Sequence, residues 1–200
     1  MATCYLVLGT PRSGTSCVAG ILHKLGVRMS LGDFVPASPA NPTGFWEDAE
    51  FVRSLFAPIP FELTLVQEYQ LNAALNGLLS ARCAAGVDWG VKTYKAGLML
   101  SKIVDLCPMP VEIIRTYRPR QQSKSSWANA FNPVTDWFVD YMGDIVDTLP
   151  SDTFTVAFDD LLANPSASVA AIAAKVGKPT SGPAFDDAVA FVDPSLRNYP

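Results

Sequence analysis

The sequence contains very little of the material from which metal sites and disulfide frameworks are built. It has a single histidine, and its four cysteines include no C-x-x-C pair. The cysteines lie far apart in the chain, at Cys4, Cys17, Cys83 and Cys107. Sparse ligands argue against a zinc site, and scattered cysteines argue against a small disulfide-stabilised fold. We therefore expect no metal site, and a reducing, cytoplasmic compartment is the simpler expectation.

Long hydrophobic runs and an excess of basic residues are also missing. No stretch reaches the ~18 uninterrupted apolar residues of a membrane span. Pro11 and Arg12 interrupt the N-terminal apolar run, which argues against a signal peptide. The net charge of −4 gives no support to a general nucleic-acid-binding role. Since 49% of the 200 residues are apolar, the sequence predicts one domain over residues 1–200 with a sizeable core.

The most informative stretch is Tyr5–Ser16, YLVLGTPRSGTS. A strand that turns directly into a helix presents unpaired N–H groups and the positive end of the helix dipole, which is typical of a phosphate site. Gly9 and Gly14 have the spacing of a Walker A loop. However, Thr15 stands where that loop has its lysine, and the cation of this loop is Arg12. The loop can hold a phosphate, but it lacks the lysine that kinases and ATPases use.

Strand-like and helix-like segments alternate along the chain. The predicted strands are Tyr5–Gly9, Asp88–Lys92, Val111–Tyr117 and Thr153–Phe158. The predicted helices are Val18–Leu25, Glu47–Phe56, Leu63–Ala85 (whole or broken at Gly77), Ala96–Cys107, Pro119–Phe131, Thr135–Leu149, Pro165–Val176 capped by Asn164, and a turn at Asp186–Phe191. This alternation predicts an α/β fold with a mainly parallel sheet, in which ligands bind beyond the carboxyl ends of the strands.

Two charged clusters stand out in the second half of the chain. The first is basic and is followed by several serines; its members are Arg115, Arg118, Arg120 and Lys124. An arginine beside a helical serine suits a phosphate group, and a solvated basic helix start is the plainer alternative. The second cluster is acidic and lies along one face of the predicted helix Thr135–Leu149: Asp140, Asp144 and Asp147. We interpret that face as solvated rather than as a metal site.

The segment Pro11-Arg12-Ser13-Gly14-Thr15-Ser16 resembles the P-[KR]-[SA]-G-[ST]-[ST] loop of the sulfotransferases that use 3′-phosphoadenosine 5′-phosphosulfate (PAPS). Four further segments resemble that family in the same order along the chain: Asn41–Asp48, Trp89–Thr93, Ile113–Ser126 and Val156–Pro165. The resemblance covers nearly the whole chain. It implies a three-layer α/β fold of the P-loop type, PAPS as the donor, 3′-phosphoadenosine 5′-phosphate as the product, and a small-molecule or carbohydrate acceptor.

The same resemblance implies the residues that bind the donor. The 5′-phosphate side would be held by the whole loop: Pro11, Arg12, Ser13, Gly14, Thr15 and Ser16. The family holds the 3′-phosphate with an arginine and a serine that lies eight residues later. Arg118 with Ser126 and Arg115 with Ser123 both have that spacing. We favour Arg118 and Ser126.

The resemblance also implies catalytic roles. Arg12 would neutralise the leaving phosphate, and Lys92 would stabilise the sulfonate during transfer, although a plain surface lysine is the alternative. Glu47 would be the base that accepts the acceptor's proton, with Asp48 in reserve; a surface or capping role is the alternative for Glu47. His23 lies nine residues beyond Gly14, or ~13 Å along a helix, so we expect it to be structural.

The sequence departs from the family at three positions. Tyr94 stands where cytosolic arylsulfotransferases have a catalytic histidine, and Cys17 stands where an aromatic side chain would stack on adenine. The late R-K-G segment with which the family clamps the 3′-phosphate is absent, since Arg197 is the one basic residue near the C-terminus. Two other hypotheses therefore stay open. One is a P-loop nucleotide kinase or NTPase in which Asp159 or Asp160 holds Mg²⁺, and the other is a nucleotide-binding protein that has lost catalysis.

Overall fold

A four-stranded, fully parallel sheet forms the centre of the protein. The structure is a computed structural model that describes residues 1–54, 65–131 and 137–194, with only the backbone at positions 65, 94 and 95. The strands are β1 (Cys4–Gly9), β2 (Trp89–Lys92), β3 (Val111–Tyr117) and β4 (Thr155–Ala157), and their order in the sheet is β2-β1-β3-β4. In the register, Leu6 of β1 lies opposite Val91 of β2 and Ile113 of β3. The predicted parallel sheet is therefore confirmed.

Helices connect the strands and cover the sheet. In the described ranges they are α1 (Thr15–Lys24), α2 (Ala49–Ser54), α3 (Leu65–Cys83), α4 (Tyr94–Leu98), α5 (Leu100–Leu106), α6 (Arg120–Ala130), α7 (Trp137–Asp147), α8 (Phe158–Ala163), α9 (Pro165–Lys175) and α10 (Pro183–Ala190). In those same ranges, no helix is both long enough and apolar enough to cross a bilayer.

The sheet separates two hydrophobic cores, so the fold has three layers. Side chains of β1 point alternately to the two faces, as extended backbone requires. Tyr5 and Val7 belong to the core beneath α1, α9 and α10. Cys4, Leu6 and Leu8 belong to the core beneath α3, α4, α5 and α7. Because β1 is buried on both faces, its sequence is a continuous apolar run rather than an alternating one.

Most of the predicted elements lie where the sequence places them, and three differ. The predicted helix Ala96–Cys107 is two helices, α4 and α5, which meet at Met99. The predicted strand Thr153–Phe158 is only three residues long, because the chain turns into α8 at Phe158. The predicted turn at Asp186–Phe191 is part of the longer helix α10, which begins with Pro183. The Gly77 position lies inside a continuous α3.

The acidic face of α7 is exposed, as predicted, but it is also ion-paired. Asp144 accepts a hydrogen bond from Arg120 at 2.7 Å, and Asp147 accepts from both Arg120 and Arg115, at 2.6 and 2.7 Å. Lys124 pairs with the third aspartate, Asp140, at 2.5 Å. These pairs attach α6 and the end of β3 to α7. Three of the four residues of the predicted basic cluster, Arg115, Arg120 and Lys124, therefore pair with the acidic face of α7. The fourth, Arg118, lies elsewhere.

Candidate functional site

The loop between β1 and α1 has a conformation that depends on its two glycines. A Cβ atom at Gly9 would lie 2.0 Å from the Thr116 hydroxyl, and one at Gly14 would lie 2.3 Å from the Phe158 ring. Gly14 also has a φ of 91°, in the left-handed region that favours glycine. The loop is thus packed tightly between β3 on one side and Phe158 on the other. A larger residue at either glycine would displace it.

The loop delivers N–H groups and hydroxyls to the start of α1. Gly14 is the N-cap residue of α1 and supplies no capping side chain, so the amides of the first turn point outward without intrahelical acceptors. Thr15 and Ser16 lie in this first turn, and the Ser16 hydroxyl accepts a hydrogen bond from Asn41 Nδ2 at 3.0 Å. Ser13 differs from its neighbours. Its side chain is fully buried, and its hydroxyl lies 2.7 Å from that of Thr116, on the β3 side of the loop.

Arg12 connects the loop to two other parts of the chain. Its backbone has a φ of 69°, which is unusual for a residue with a side chain. Its Nε donates a hydrogen bond to Ser126 Oγ of α6 at 3.0 Å, and its Nη1 donates to the Ala40 carbonyl at 2.9 Å. The structure therefore brings together the loop arginine and the favoured serine of the predicted second phosphate site.

Arg118 contacts the loop between β1 and α1, whereas Arg115 pairs with α7. Arg118 directly follows β3 and is 5% exposed. Its Nη1 is 3.4 Å from the Arg12 carbonyl, and its guanidinium carbon is 5.2 Å from the centre of the Phe158 ring. Arg115 instead pairs with Asp147, and its proposed partner Ser123 contacts Thr10. Of the two registers left open by the sequence, the structure places only Arg118 with Ser126 beside Arg12.

Glu47 and Lys92 form a buried ion pair. Lys92 is the last residue of β2, and its Nζ donates a hydrogen bond to Glu47 Oε1 at 2.8 Å. Both side chains are less than a tenth exposed. The Nζ atom also lies 5.8 Å from the centre of the Phe45 ring. Neither residue has the exposed or capping position that was its plainer alternative.

The segment around Glu47 is held by its two neighbours in sequence. Trp46 has a φ of 56°, and its ring packs against His23, Phe34 and Phe191 with centroids 5.1 to 5.5 Å apart. His23 therefore has the structural role that the sequence predicts. Partial desolvation by its neighbours, followed by the Lys24 charge, lowers the pKa of this exposed histidine.

Asp48, the reserve base, is engaged in a separate buried cluster. Its Oδ2 accepts a hydrogen bond from Arg82 at 2.5 Å, and its Oδ1 accepts from the Phe51 amide at 3.0 Å. Both Asp48 and Arg82 are at most 4% exposed. Burial alone would raise the pKa of Asp48, but the hydrogen bonds from Phe51 and Arg82 outweigh it and lower that pKa. With its oxygens bonded in this way, Asp48 holds the backbone of the segment in place.

A cavity of about 390 Å³ joins these groups. Its lining includes residues of the β1–α1 loop, Arg118 and Ser126, and also Glu47, Lys92 and Phe45. Asn41, Trp127 and Phe158 also line it, and sequence reasoning did not propose any of them as a site residue. Trp127 directly follows Ser126 in α6, so its position next to a predicted site residue was the available signal. Its indole and the Phe158 ring provide aromatic surface in the same cavity as Cys17.

Other predicted features cannot be placed in this cavity. The Tyr94 side chain and Arg197 lie outside the described residues. Asp159 and Asp160 lie in the first turn of α8. Among the described residues, no three histidine, cysteine or acidic side chains are grouped so that they could hold a metal ion.

The chain was compared with known proteins by sequence and by structure. No family model matches the sequence, and no curated protein matches it. Among solved structures, it is similar to the sulfotransferase domain of the olefin synthase from Synechococcus PCC 7002, with a TM-score of 0.55 and 16% identity over 92% of this chain and 79% of that one. It is also similar to the sulfotransferase STF1 from Mycobacterium tuberculosis H37Rv, with a TM-score of 0.53 and 15% identity over 95% of this chain and 71% of that one.

A third similar structure is a sugar kinase from Janibacter sp. HTCC2649. Its TM-score is 0.53 and its identity 14%, over 90% of this chain and 97% of that one. At such low identities, the likeness shows the fold. The chain thus has the α/β fold found in sulfotransferases and in P-loop-like kinases, which confirms the fold class predicted from the sequence.

Proposed function

We propose that the protein is a sulfotransferase that moves a sulfuryl group from PAPS to a hydroxyl or amine of a small-molecule or carbohydrate acceptor. The observation that carries this proposal is that Arg12, Arg118 and Ser126 line the same cavity as the Glu47–Lys92 pair. A doubly phosphorylated nucleotide needs two cationic contacts, and group transfer needs a base near a cation. The cavity offers both.

Donor binding would use the loop and the start of α6. The amides of Gly14, Thr15 and Ser16 and the Arg12 guanidinium would hold the 5′-phosphate. Arg118 and Ser126 would hold the 3′-phosphate. The two arginines are already adjacent, with Arg118 Nη1 3.4 Å from the Arg12 carbonyl. The aromatic rings that line the cavity, Trp127 and Phe158, supply surface for the adenine base.

Transfer would proceed by roughly in-line attack. The acceptor oxygen or nitrogen forms a bond to sulfur while the bond from sulfur to the 5′-phosphate oxygen breaks. The acceptor's proton passes to the Glu47 carboxylate, and the electron pair of the breaking bond stays on the phosphate, which Arg12 neutralises. Lys92, which lies 2.8 Å from Glu47 and lines the same cavity, would contact the sulfonate oxygens while Glu47 receives the proton. Side chains carry all of these charges, and no metal step is needed.

Titration calorimetry with the product nucleotide tests the donor part of this proposal. We expect 3′-phosphoadenosine 5′-phosphate to bind without added Mg²⁺ and with a Kd in the micromolar range, which corresponds to a binding free energy of about −8 kcal/mol. ATP should bind much more weakly under the same conditions. The opposite preference would overturn the proposal.

The second candidate function is phosphoryl transfer, which the fold likeness to a sugar kinase favours. It is weaker, because Thr15 occupies the position at which a Walker A loop carries its lysine. It would also require Asp159 or Asp160 to hold Mg²⁺. Mg²⁺-dependent turnover of ATP would support this function over sulfuryl transfer.

The third candidate is a nucleotide-binding protein without catalysis. Such a protein would bind the donor nucleotide in the same way as the sulfotransferase, but Glu47 and Lys92 would have no catalytic role. A sulfuryl-transfer assay against a panel of alcohols, phenols, amines and sugars separates the two.

We also propose a cytoplasmic location for the sulfotransferase, because four free cysteines suit a reducing compartment.

A further inference from the structure

Cys83 and Cys107, which are distant in sequence, meet near Cys4 at the amino end of β1, whereas the carboxyl end of β1 lines the cavity. Cys4 is the first residue of β1, Cys83 is the last residue of α3, and Cys107 directly follows α5. The Cys83 and Cys107 sulfur atoms are 3.8 Å apart. The Cys4 side chain is fully buried, whereas the other two are partly exposed. Of these three cysteines, only Cys83 and Cys107 are open to reagents in solution.

The environment makes the two partly exposed thiols chemically unequal. A hydrogen bond from the Cys4 thiol, with others from the Met109 amide and from Cys83, outweighs burial and lowers the pKa of Cys107 to about 6. Burial, followed by the charge of Cys107, raises the pKa of Cys83 to about 11. At neutral pH, Cys107 is therefore the thiolate and Cys83 the thiol. A nucleophilic thiolate in contact with a thiol is the arrangement found in reactive dithiol pairs.

We propose that Cys83 and Cys107 form a dithiol that hydroperoxides oxidise reversibly to a disulfide. The Cys107 thiolate attacks one peroxide oxygen, the O–O bond breaks, and Cys107 becomes a sulfenic acid while hydroxide or alkoxide leaves. The Cys83 sulfur then attacks the Cys107 sulfur, and water leaves with the sulfenic oxygen. Two thiols are oxidised by two electrons, and one peroxide is reduced. A low-molecular-weight dithiol reverses the reaction by exchange.

The second step is favoured by the first. The negative charge of Cys107 helps to raise the pKa of Cys83, and the neutral sulfenic acid no longer carries that charge. Cys83 therefore becomes a better nucleophile once Cys107 has been oxidised. The sulfur atoms are already in contact, so side-chain rotation supplies most of the remaining approach to the bond length of about 2 Å.

The dithiol is linked to the segment that carries Glu47. Cys83 follows Arg82, and Arg82 holds Asp48 through the buried 2.5 Å ion pair. A disulfide would fix the C-terminal turn of α3 to the connection between α5 and β3, next to that ion pair. The modification should therefore be visible in the stability of the protein, with a higher Tm in the oxidised form.

Mass spectrometry of the intact folded protein tests the proposal without any assay of sulfuryl transfer. Hydrogen peroxide is added under native conditions, remaining thiols are alkylated with iodoacetamide, and the protein is digested without reduction. We expect a peptide pair linked through Cys83 and Cys107, a mass lower by two hydrogen atoms, and full recovery of both thiols with dithiothreitol. Cys4, whose side chain is fully buried, serves as the internal control and should be alkylated only after unfolding.

Two serine variants identify the order of events. In Cys83→Ser, Cys107 should form a sulfenic acid that dimedone traps, whereas Cys107→Ser should give no dimedone adduct at Cys83. Cys17→Ser should behave as the wild type. The proposal is overturned if peroxide links Cys4 to Cys107 instead, or if all four thiols stay free at peroxide concentrations that oxidise a small-molecule thiol in the same solution. Either result leaves the proposed sulfotransferase function untouched.

Discussion

The Nζ atom of Lys92 lies 2.8 Å from Oε1 of Glu47, and neither side chain is more than a tenth exposed. A buried ion pair is costly to form, because both charges lose their hydration. The pair joins the end of β2 to the segment that precedes α2, and it faces the same cavity as the phosphate loop. Because the two side chains are in contact, a change at either one also alters the environment of the other.

Glu47→Gln should strongly reduce sulfuryl transfer while leaving nucleotide binding intact. A general base contributes about 10²–10⁴-fold to a rate, so we expect transfer to fall by that range, with the Kd for the product nucleotide changed by less than about threefold. The matched control is Glu50→Gln, an exposed neighbour. Full activity of Glu47→Gln would remove Glu47 from the mechanism.

Arg12 can be tested with two substitutions that differ only in the backbone. Arg12→Ala and Arg12→Gly both remove the guanidinium, but only glycine suits the φ of 69°. We expect both variants to weaken binding of the product nucleotide by about 10–100-fold, since hydrogen bonds to charged groups contribute about 1.5–3 kcal/mol. In urea unfolding, the glycine variant should be the more stable by about 1 kcal/mol. Equal affinity of wild type and both variants would exclude Arg12 from the site.

Arg118 and Arg115 form a matched pair for the 3′-phosphate. Arg118→Ala should weaken binding of 3′-phosphoadenosine 5′-phosphate by at least about tenfold and should leave the affinity for AMP, which lacks the 3′-phosphate, nearly unchanged. Arg115→Ala removes only a partly exposed ion pair with Asp147, so both nucleotides should bind as in the wild type. Loss of 3′-phosphate selectivity in Arg115→Ala alone would move the site to the other register.

The buried pair of Asp48 and Arg82 should make stability depend on acid pH. The pKa of Asp48 is lowered in the folded protein, so its contribution is complete above the unfolded pKa of about 3.9. The contribution is lost as the pH falls through the still lower folded pKa. Urea unfolding should show Asp48→Asn destabilised by about 3 kcal/mol at pH 7 and less dependent on pH below about 4.

The control for that experiment is Asp140→Asn. Asp140 pairs with Lys124 at the surface, and its removal should change the free energy of unfolding by less than about 1 kcal/mol at pH 7. If the two variants are equally stable, the Asp48–Arg82 pair is not what fixes the Glu47 segment.

Local signals explain why the sheet and the loop could be predicted from sequence. The apolar run of β1, the β-branched residues of β3 and the spacing of Gly9 and Gly14 can each be recognised within a few residues of sequence. The break at Met99 and the early end of β4 at Phe158 depend on packing against other elements, so local periodicity did not reveal them. Phe158 lies against Gly14, a contact between parts of the chain that no spacing rule connects.

The sequence allowed us to predict which residues belong to the candidate site, but not which of them contact one another. Lys92 and Glu47 were each proposed for a separate role, and their contact spans 45 positions of the chain. Arg118 and Arg115 have the same spacing to a serine, so spacing alone could not separate them. They are three residues apart, however, and side chains of extended backbone alternate between faces. That parity places Arg115 against α7 and Arg118 against the loop.

The hydrogen bonds from Arg12 to the Ala40 carbonyl and from Asn41 to the Ser16 hydroxyl have one more consequence. They engage donor N–H groups of Arg12 and Asn41, so under the proposed function a phosphate that bound these groups would exchange their internal partners for ligand oxygens. A singly charged or badly shaped anion would gain too little to displace the segment near Ala40. Under the proposed function, such competition would favour a doubly charged phosphate over weaker anions before any contact with the rest of the nucleotide is made.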